Sequence, residues 1–302
     1  MRSFFLFLSR QRQLRHWMET SSVAHKLSER FVAGDSLQTA VEASRRVNGD
    51  GTRVTLDYLG ENVHSLDEAL ISRDMYLRSL EQIASNNLDA NVSLKLTQFG
   101  MDLSEDACRQ NVRELVCAAA KRGNFVRIDM ESSEYTDRTL RLVTDLHVET
   151  QSCGAVIQAY LFRSEKDIAM LCERGIRVRL CKGAYLEPAA VAFQKKEDVD
   201  ANFVRLTQKL LSDGTYPAIA THDERMIEAT LEFVKTNRIA HDRFEFQMLY
   251  GIRRDLQKRL VADGYRLRLY VPFGEAWYPY FMRRLAERPA NVVFLARNLF
   301  RE

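Results

Sequence analysis

The chain has 302 residues, 46% hydrophobic and 28% charged, with a net charge of +3. That length suits one large domain, and the near-balanced charge leaves no electrostatic footprint for a nucleic acid. Five scattered cysteines (Cys108, Cys117, Cys153, Cys172 and Cys181) form no CxxC pair, which argues against a disulfide framework or structural zinc and fits a reducing compartment. The opening stretch MRSFFLFLSRQRQLRHW is apolar, then basic. Its run Phe4–Leu8 is too short for a signal-peptide core or a membrane span. A surface helix is the reading, with a transit peptide as the lesser alternative because no small-residue cleavage site follows. The composition also suits a weak peripheral membrane contact.

Residues 1–48 read as a helical arm. Phe5, Leu8, Leu14, Trp17 and Met18, then Ala24, Leu27 and Phe31, recur at helical spacing. Gly34 and Asp35 break the pattern, and Ser36 is placed to cap the next segment. Over residues 49–302 short aliphatic and β-branched runs alternate with longer amphipathic stretches. The runs are Arg53–Leu59, Asn91–Thr97, Phe125–Met130, Ala155–Tyr160, Arg177–Lys182, Tyr216–His222, Phe244–Leu249 and Arg266–Val271. Gly123, Gly154, Gly175, Gly214 and Gly264 read as helix stops before the next strand. Eight strands alternating with helices predict parallel pairing, and the count and length suit a (β/α)8 TIM-type barrel with an N-terminal helical arm. A doubly wound sheet is the runner-up, without the GxGxxG that would make it a dinucleotide fold.

In a (β/α)8 barrel the C-terminal strand ends and the loops after them build the active site. Here the runs carry polar residues: Asp57 and Glu61, Lys95 and Gln98, Asp129 and Glu131, Gln158 and Tyr160, Arg179 and Lys182, Thr221 and His222, Glu245 and Gln247, and Tyr270. Buried charge is costly unless paired, so Lys95, Asp129, Arg179, Lys182 and Glu245 are expected to meet partners inside the barrel. A paired network that merely fills the core is the plainer reading. Against it stands the expectation that every strand contributes, all toward one end.

Two further stretches carry chemistry. In CKGAYLE (Cys181–Glu187) a lysine precedes Gly-Ala at a strand end, leaving backbone open to a flat or phosphorylated group. In YVPFGEAWYPYFMRRLAERPAN (Tyr270–Asn291) a strand passes into a helix with Tyr280, Arg283, Arg284 and Glu287 on one face and Trp277, Phe281 and Leu285 on a neighbouring apolar stripe. Adjacent guanidinium forks suit a carboxylate or phosphate. A solvated charged face is the bland alternative. No HxH, HExxH or acidic triplet points to a metal, and no GxSxG to a serine nucleophile. The residues alone therefore indicate a barrel enzyme that binds a carboxylate beside a phosphate-bearing cofactor. A Schiff-base lysine aldolase-type enzyme using Lys95 or Lys182 is the alternative.

These pieces resemble the proline dehydrogenase family in its monofunctional bacterial, FAD-dependent form. The resemblance rests on SLKLTQFG (Ser93–Gly100), RIDME (Arg127–Glu131), IQAYL (Ile157–Leu161), RLCKGAY (Arg179–Tyr185), ATHD (Ala220–Asp223), FEFQMLYG (Phe244–Gly251), YVPFG (Tyr270–Gly274) and RRLAERPAN (Arg283–Asn291), in order and at strand spacing. It implies oxidation of L-proline to Δ1-pyrroline-5-carboxylate, with FAD as cofactor and a membrane quinone as acceptor. It implies that Arg283 and Arg284 hold the substrate carboxylate. Lys95, Leu249, Tyr270, Tyr280, Glu287 and Glu61 complete that pocket, and Asp129 and Arg179 act on catalysis by orientation and electrostatics. It places Met130, Gln158, Arg179, Lys182, Gly183, Ala184, Thr221 and His222 around FAD. A transient contact with pyrroline-5-carboxylate dehydrogenase and a cytoplasmic location, peripheral at the inner face of the membrane, follow as further expectations.

Overall fold

The computed structural model describes residues 30–287, with side chains described through Met282. Eight parallel strands close a barrel in sequence order: β1 (Arg53–Tyr58), β2 (Ala90–Leu94), β3 (Val126–Ile128), β4 (Cys153–Gln158), β5 (Val178–Cys181), β6 (Ala218–Ala220), β7 (Glu245–Leu249) and β8 (Leu267–Phe273). Closure is made by β8 pairing with β1, from Arg53 opposite Arg268 to Tyr58 opposite Phe273. The expected (β/α)8 barrel is therefore the fold, and the open doubly wound sheet is excluded.

The outer layer comprises α1 (Leu37–Gly49), α2 (Leu66–Ser85), α3 (Glu105–Lys121), α4 (Thr136–Thr150), α5 (Ser164–Glu173), α6 (Lys196–Asp213), α7 (Glu224–Thr236), α8 (Arg254–Ala262) and α9 (Trp277–Glu287). Their starts follow side-chain chemistry. Ser36 caps α1 in a reciprocal box with Thr39, and Ser65, Ser104 and Asp223 each accept a first-turn N–H of α2, α3 and α7. Gly123, Gly175 and Gly264 leave their helices at φ of 63°, 70° and 80°, a region that costs a side-chain-bearing residue strain. Gly154 is not the stop its position suggests. It lies within β4, and α4 ends instead on Gln151 in the left-handed region. A Cβ at Gly154 would lie 2.4 Å from the Arg177 carbonyl and 2.9 Å from the Arg127 guanidinium, so the glycine makes room for a buried arginine. Gly214 does end its helix, as the cap after Asp213 of α6, but in extended rather than left-handed geometry at φ −84°.

The continuous apolar core lies between strands and helices, where Leu56, Val92, Ile128, Leu180 and Phe246 meet helix residues such as Tyr76, Leu115, Val143 and Phe203. A second cluster lies at the C-terminal end of the barrel. Phe31 and Val32 pack with Leu59, Ile252, Trp277, Tyr278 and Phe281. The chain at 33–34 runs beside the end of β8, with the Ala33 N–H donating to the Pro272 carbonyl at 2.8 Å and the Gly274 N–H to the Gly34 carbonyl at 2.9 Å. The rest of the N-terminal arm, residues 1–29, lies outside the described residues.

Candidate active site

The barrel interior holds two ionic layers. The lower one begins near the strand starts. Glu245, the first residue of β7, accepts from Arg268 Nε at 2.8 Å and from the Tyr216 hydroxyl at 3.1 Å. Arg268 also donates to the Val54 carbonyl, and Arg127 to the carbonyls of Ala155 and Arg177. Burial opposes the Glu245 charge, but Arg268 and the Gln247 amide outweigh it and bring its pKa down to about 2. The expectation that all the polar strand residues lie toward one end is thus corrected. Glu245 belongs to the floor, because it opens its strand.

The upper layer sits at the C-terminal end. Asp129, just past β3, accepts from Ser93 Oγ at 2.7 Å, Arg179 Nη1 at 2.7 Å and the Tyr270 hydroxyl at 2.9 Å. The Arg179 guanidinium also lies over the Tyr270 ring, 5.3 Å from its centroid. Lys95 Nζ lies 3.7 Å from Asp57 Oδ1 and 3.9 Å from Glu61 Oε1. Four residues predicted from different strands, Lys95, Asp129, Arg179 and Tyr270, therefore converge, and Glu61 reaches them from the loop after β1. Arg179 Nε donates to Gln247 Oε1 at 2.5 Å, and Gln247 Nε2 to Glu245 Oε1 at 2.6 Å. A chain of charge-assisted bonds thus runs from mouth to floor.

Burial works against the Lys95 ammonium, yet Asp57, Glu61 and Asp129 outweigh it and hold the pKa above the ordinary lysine range. A Schiff-base nucleophile needs the opposite shift, so the aldolase-type alternative loses Lys95, one of its two candidates. Burial, with Asp129 and Asp57 nearby, keeps the Tyr270 phenol protonated. Burial pushes the Cys181 thiol up to about 12, consistent with a core residue rather than a nucleophile.

Around this cluster the other predicted residues divide. Gln158 Nε2 donates to the Glu131 carbonyl at 2.8 Å, and Met130 is buried beside them. Gly183, at φ 117°, lies so close to the Tyr160 ring that a Cβ would approach it to 2.3 Å, and Ala184 follows. Thr221 Oγ1 accepts the Asp223 N–H at 3.1 Å, and His222 Nε2 accepts the Leu249 N–H at 2.9 Å, which leaves that ring nitrogen unprotonated. Lys182 does not share the surroundings of Arg179. It donates to Asp223 at 2.8 Å and to Asp200 on α6, where Lys196 and Arg225 also gather. Leu249 and buried Tyr280 belong to the cluster around α9. The side chains of Arg283, Arg284 and Glu287 lie outside the described residues, although the backbone of all three is within α9.

Some members of the site were not legible as such. Tyr76, on the apolar face of α2, sends its hydroxyl 2.7 Å to the Ser93 carbonyl and 3.2 Å to Asp57. Its helical spacing marks only a core position. Ser93 carries no signal beyond its strand, and the anchoring role of Asp200 depends on where α6 packs.

A cleft of about 380 Å³ opens at the opposite end of the barrel, lined by Arg53, Asp89 and Arg266 among others. There Arg53 is already paired with Asp89 at 3.1 Å. Among the described residues no helix is long and apolar enough to cross a membrane, and no His, Cys, Asp or Glu cluster is arranged to hold a metal.

Comparison with known proteins places the chain in a family. A proline dehydrogenase profile matches residues 40–297. Proline dehydrogenase 1 of Bacillus subtilis subsp. natto is 41% identical over 302 residues, covering 100% of each chain. Proline dehydrogenase of Deinococcus radiodurans is 42% identical over 280 residues, covering 91% of this chain and 90% of the relative. Among solved structures, proline utilization A (PutA) from Bdellovibrio bacteriovorus, inactivated by N-propargylglycine, superposes with a TM-score of 0.81 at 28% identity. That match covers 87% of this chain and 33% of the larger protein. With the barrel, the converging ionic cluster and a match across most of its length, the chain belongs to the proline dehydrogenase family, oxidoreductases acting on proline.

Proposed function

We propose that this chain oxidises L-proline to Δ1-pyrroline-5-carboxylate, the first step of proline breakdown to glutamate, with FAD as its resident cofactor. The observation that carries the reading is the buried meeting of Lys95, Asp129, Arg179 and Tyr270 at the barrel mouth of a chain in this family. Two features fit a large anionic cofactor. Arg179 keeps one buried donor, Nη2, without a hydrogen-bond partner among the described residues. Gly183, whose Cβ side is taken up by the Tyr160 ring, and Ala184 after it leave backbone and one methyl group exposed at the strand end. Arg179, Lys182, Gly183, Ala184, Gln158, Met130, Thr221 and His222 would hold FAD. FAD bound there would supply the two-electron acceptor for the hydride leaving the proline ring carbon, with a membrane quinone as the onward acceptor.

The protein's own contribution is orientation and charge. Arg283 and Arg284 would clamp the carboxylate as paired forks and set the ring's angle. Leu249 and Tyr280 would line the apolar side and exclude water, with Glu61, Lys95, Tyr270 and Glu287 completing the pocket. Asp129, fixed by three donors, and Arg179 act as preorganised charges. No side chain needs to act as a base if the amine sheds its proton before the hydride departs. A quinone acceptor would bring the barrel from the cytoplasm to the inner face of the membrane. The product would pass to pyrroline-5-carboxylate dehydrogenase through transient contact.

The test is direct. Purified protein should be yellow and should bleach when L-proline is added without oxygen. N-propargylglycine shares the secondary amine and carboxylate of proline, so it should inactivate the enzyme progressively, with proline protecting. A protein that binds no flavin at saturating FAD would sink the reading.

A further inference from the structure

The loop between β5 and α6 is fastened at three places. At its start, Gly183 lies against the Tyr160 ring, and the Tyr160 N–H donates to the Lys182 carbonyl at 2.9 Å. Near its end, the Phe162 N–H donates to the Val191 carbonyl at 3.0 Å and the Phe193 N–H to the Tyr160 carbonyl at 2.8 Å, while Phe162 and Phe193 meet edge-on. Between these lies the third tie. Glu187 Oε1 accepts the Ser133 N–H at 2.7 Å, and its Oε2 accepts the Ser133 hydroxyl. Ser133 opens the turn just beyond β3, four residues after Asp129. The Glu187 carboxylate therefore draws a β5 loop across β4 to the end of β3, over the mouth that holds Asp129.

Ala184, Tyr185 and Leu186 are the exposed stretch between the first tie and the third. The stretch follows directly on Gly183 at the C-terminal end of β5, and Tyr185 within it is 37% exposed. A two-pronged carboxylate on one serine is directional, because both oxygens must meet donors of fixed spacing. We infer that Glu187 is a positioning residue: through Ser133 it holds the Ala184–Leu186 stretch, and Tyr185 with it, at the barrel mouth. The inference deepens the proline dehydrogenase reading and rests on it for its kinetic readout.

Glu187 and Ser133 are both partly exposed, so substitutions there should not prevent folding. Losing a charge-assisted tie is expected to raise KM for L-proline roughly ten-fold in Glu187→Gln, with kcat and flavin content within about two-fold. Ser133→Thr, which keeps the hydroxyl and the N–H, should restore most of what Ser133→Ala loses. The decisive arm uses a Tyr185→Phe background. If Glu187 acts through Tyr185, adding Glu187→Gln there should change KM by less than about two-fold, the non-additivity expected of coupled residues. An equal rise in both backgrounds, or an unchanged KM in the single variant, overturns the proposal. A readout independent of turnover separates this from failure of the functional reading. Amide exchange across residues 183–187 should accelerate in Glu187→Ala whether or not proline is the substrate, and unaltered exchange overturns the tie itself.

Discussion

The floor and the mouth of the barrel are built from the same material and put it to different use. On the floor, Glu245 and Arg268 are 3% and 9% exposed, and their donors end on backbone carbonyls and on each other. At the mouth, Lys95 and Asp129 are each 13% exposed and Glu61 is 26% exposed. These charges cluster where the strands hand over to loops. The floor matches the plain reading of a paired network that fills a core. The mouth resembles it in chemistry, with a spare donor on Arg179 as the floor has one on Arg127, but it keeps access to solvent. Near-complete exclusion from water marks structure here, whereas partial exposure beside the loops marks a site.

The largest expected effect tests the floor. Glu245→Ala leaves Arg268 and Arg127 buried beside a missing charge, which should cost about 3–5 kcal/mol of stability in urea unfolding. The folded fraction should lose kcat/KM by no more than about ten-fold, since Glu245 reaches Arg179 only through Gln247. The same carboxyl sets an acid limb. Its folded pKa of about 2 lies below the ordinary 4.5, so its stabilisation is present above pH 4.5 and is lost as pH falls toward 2. At about 1.4 kcal/mol per pKa unit the loss is roughly 3 kcal/mol, and Glu245→Gln should flatten that limb.

Next comes the mouth. Arg179→Met preserves bulk but removes the fork that meets Asp129 and Gln247, so kcat/KM should fall on the order of 10²- to 10³-fold. Unfolding should shift less than in Glu245→Ala. Retained activity would make the mouth as structural as the floor and erase the contrast.

Smaller effects sharpen it. Arg284→Lys keeps charge and loses planarity, so KM for proline should rise roughly ten- to hundred-fold with flavin content unchanged. Arg283→Lys, measured beside it, tests whether both guanidiniums serve the carboxylate. Loss of FAD at wild-type KM would assign the pair to the cofactor instead. Smallest is Ser93→Ala, which removes one of three donors to Asp129. Steady-state kinetics should register about a five-fold loss in kcat/KM, near 1 kcal/mol.

How much of this was legible follows the range of each interaction. The Ser36 cap, the Gly123, Gly175 and Gly264 stops and the alternation of runs depend on neighbours a few residues away, and the pattern shows them. Gly154 looked like another stop because sequence spacing hides the arginine that crosses it from β3. Lys182 read, like Arg179, as a charge inside the barrel because both belong to the same strand run. Asp200 and Asp223 draw it away, and that competition exists only after α6 and α7 are packed.

By itself, the sequence determined the alternating architecture and the polar residues that end the strands, because hydrophobic period and turn chemistry are local properties. It also carried the family's ordered motifs. Only the tertiary structure decided which charges form the floor and which the mouth. Barrel closure brings Asp129 beside Tyr270, 141 positions away. It also carries Tyr76 from an outer helix into the polar interior and sends the Glu187 loop across β4 to Ser133. The role of a charge depends on its neighbours and on its distance from water, and both are set by the fold.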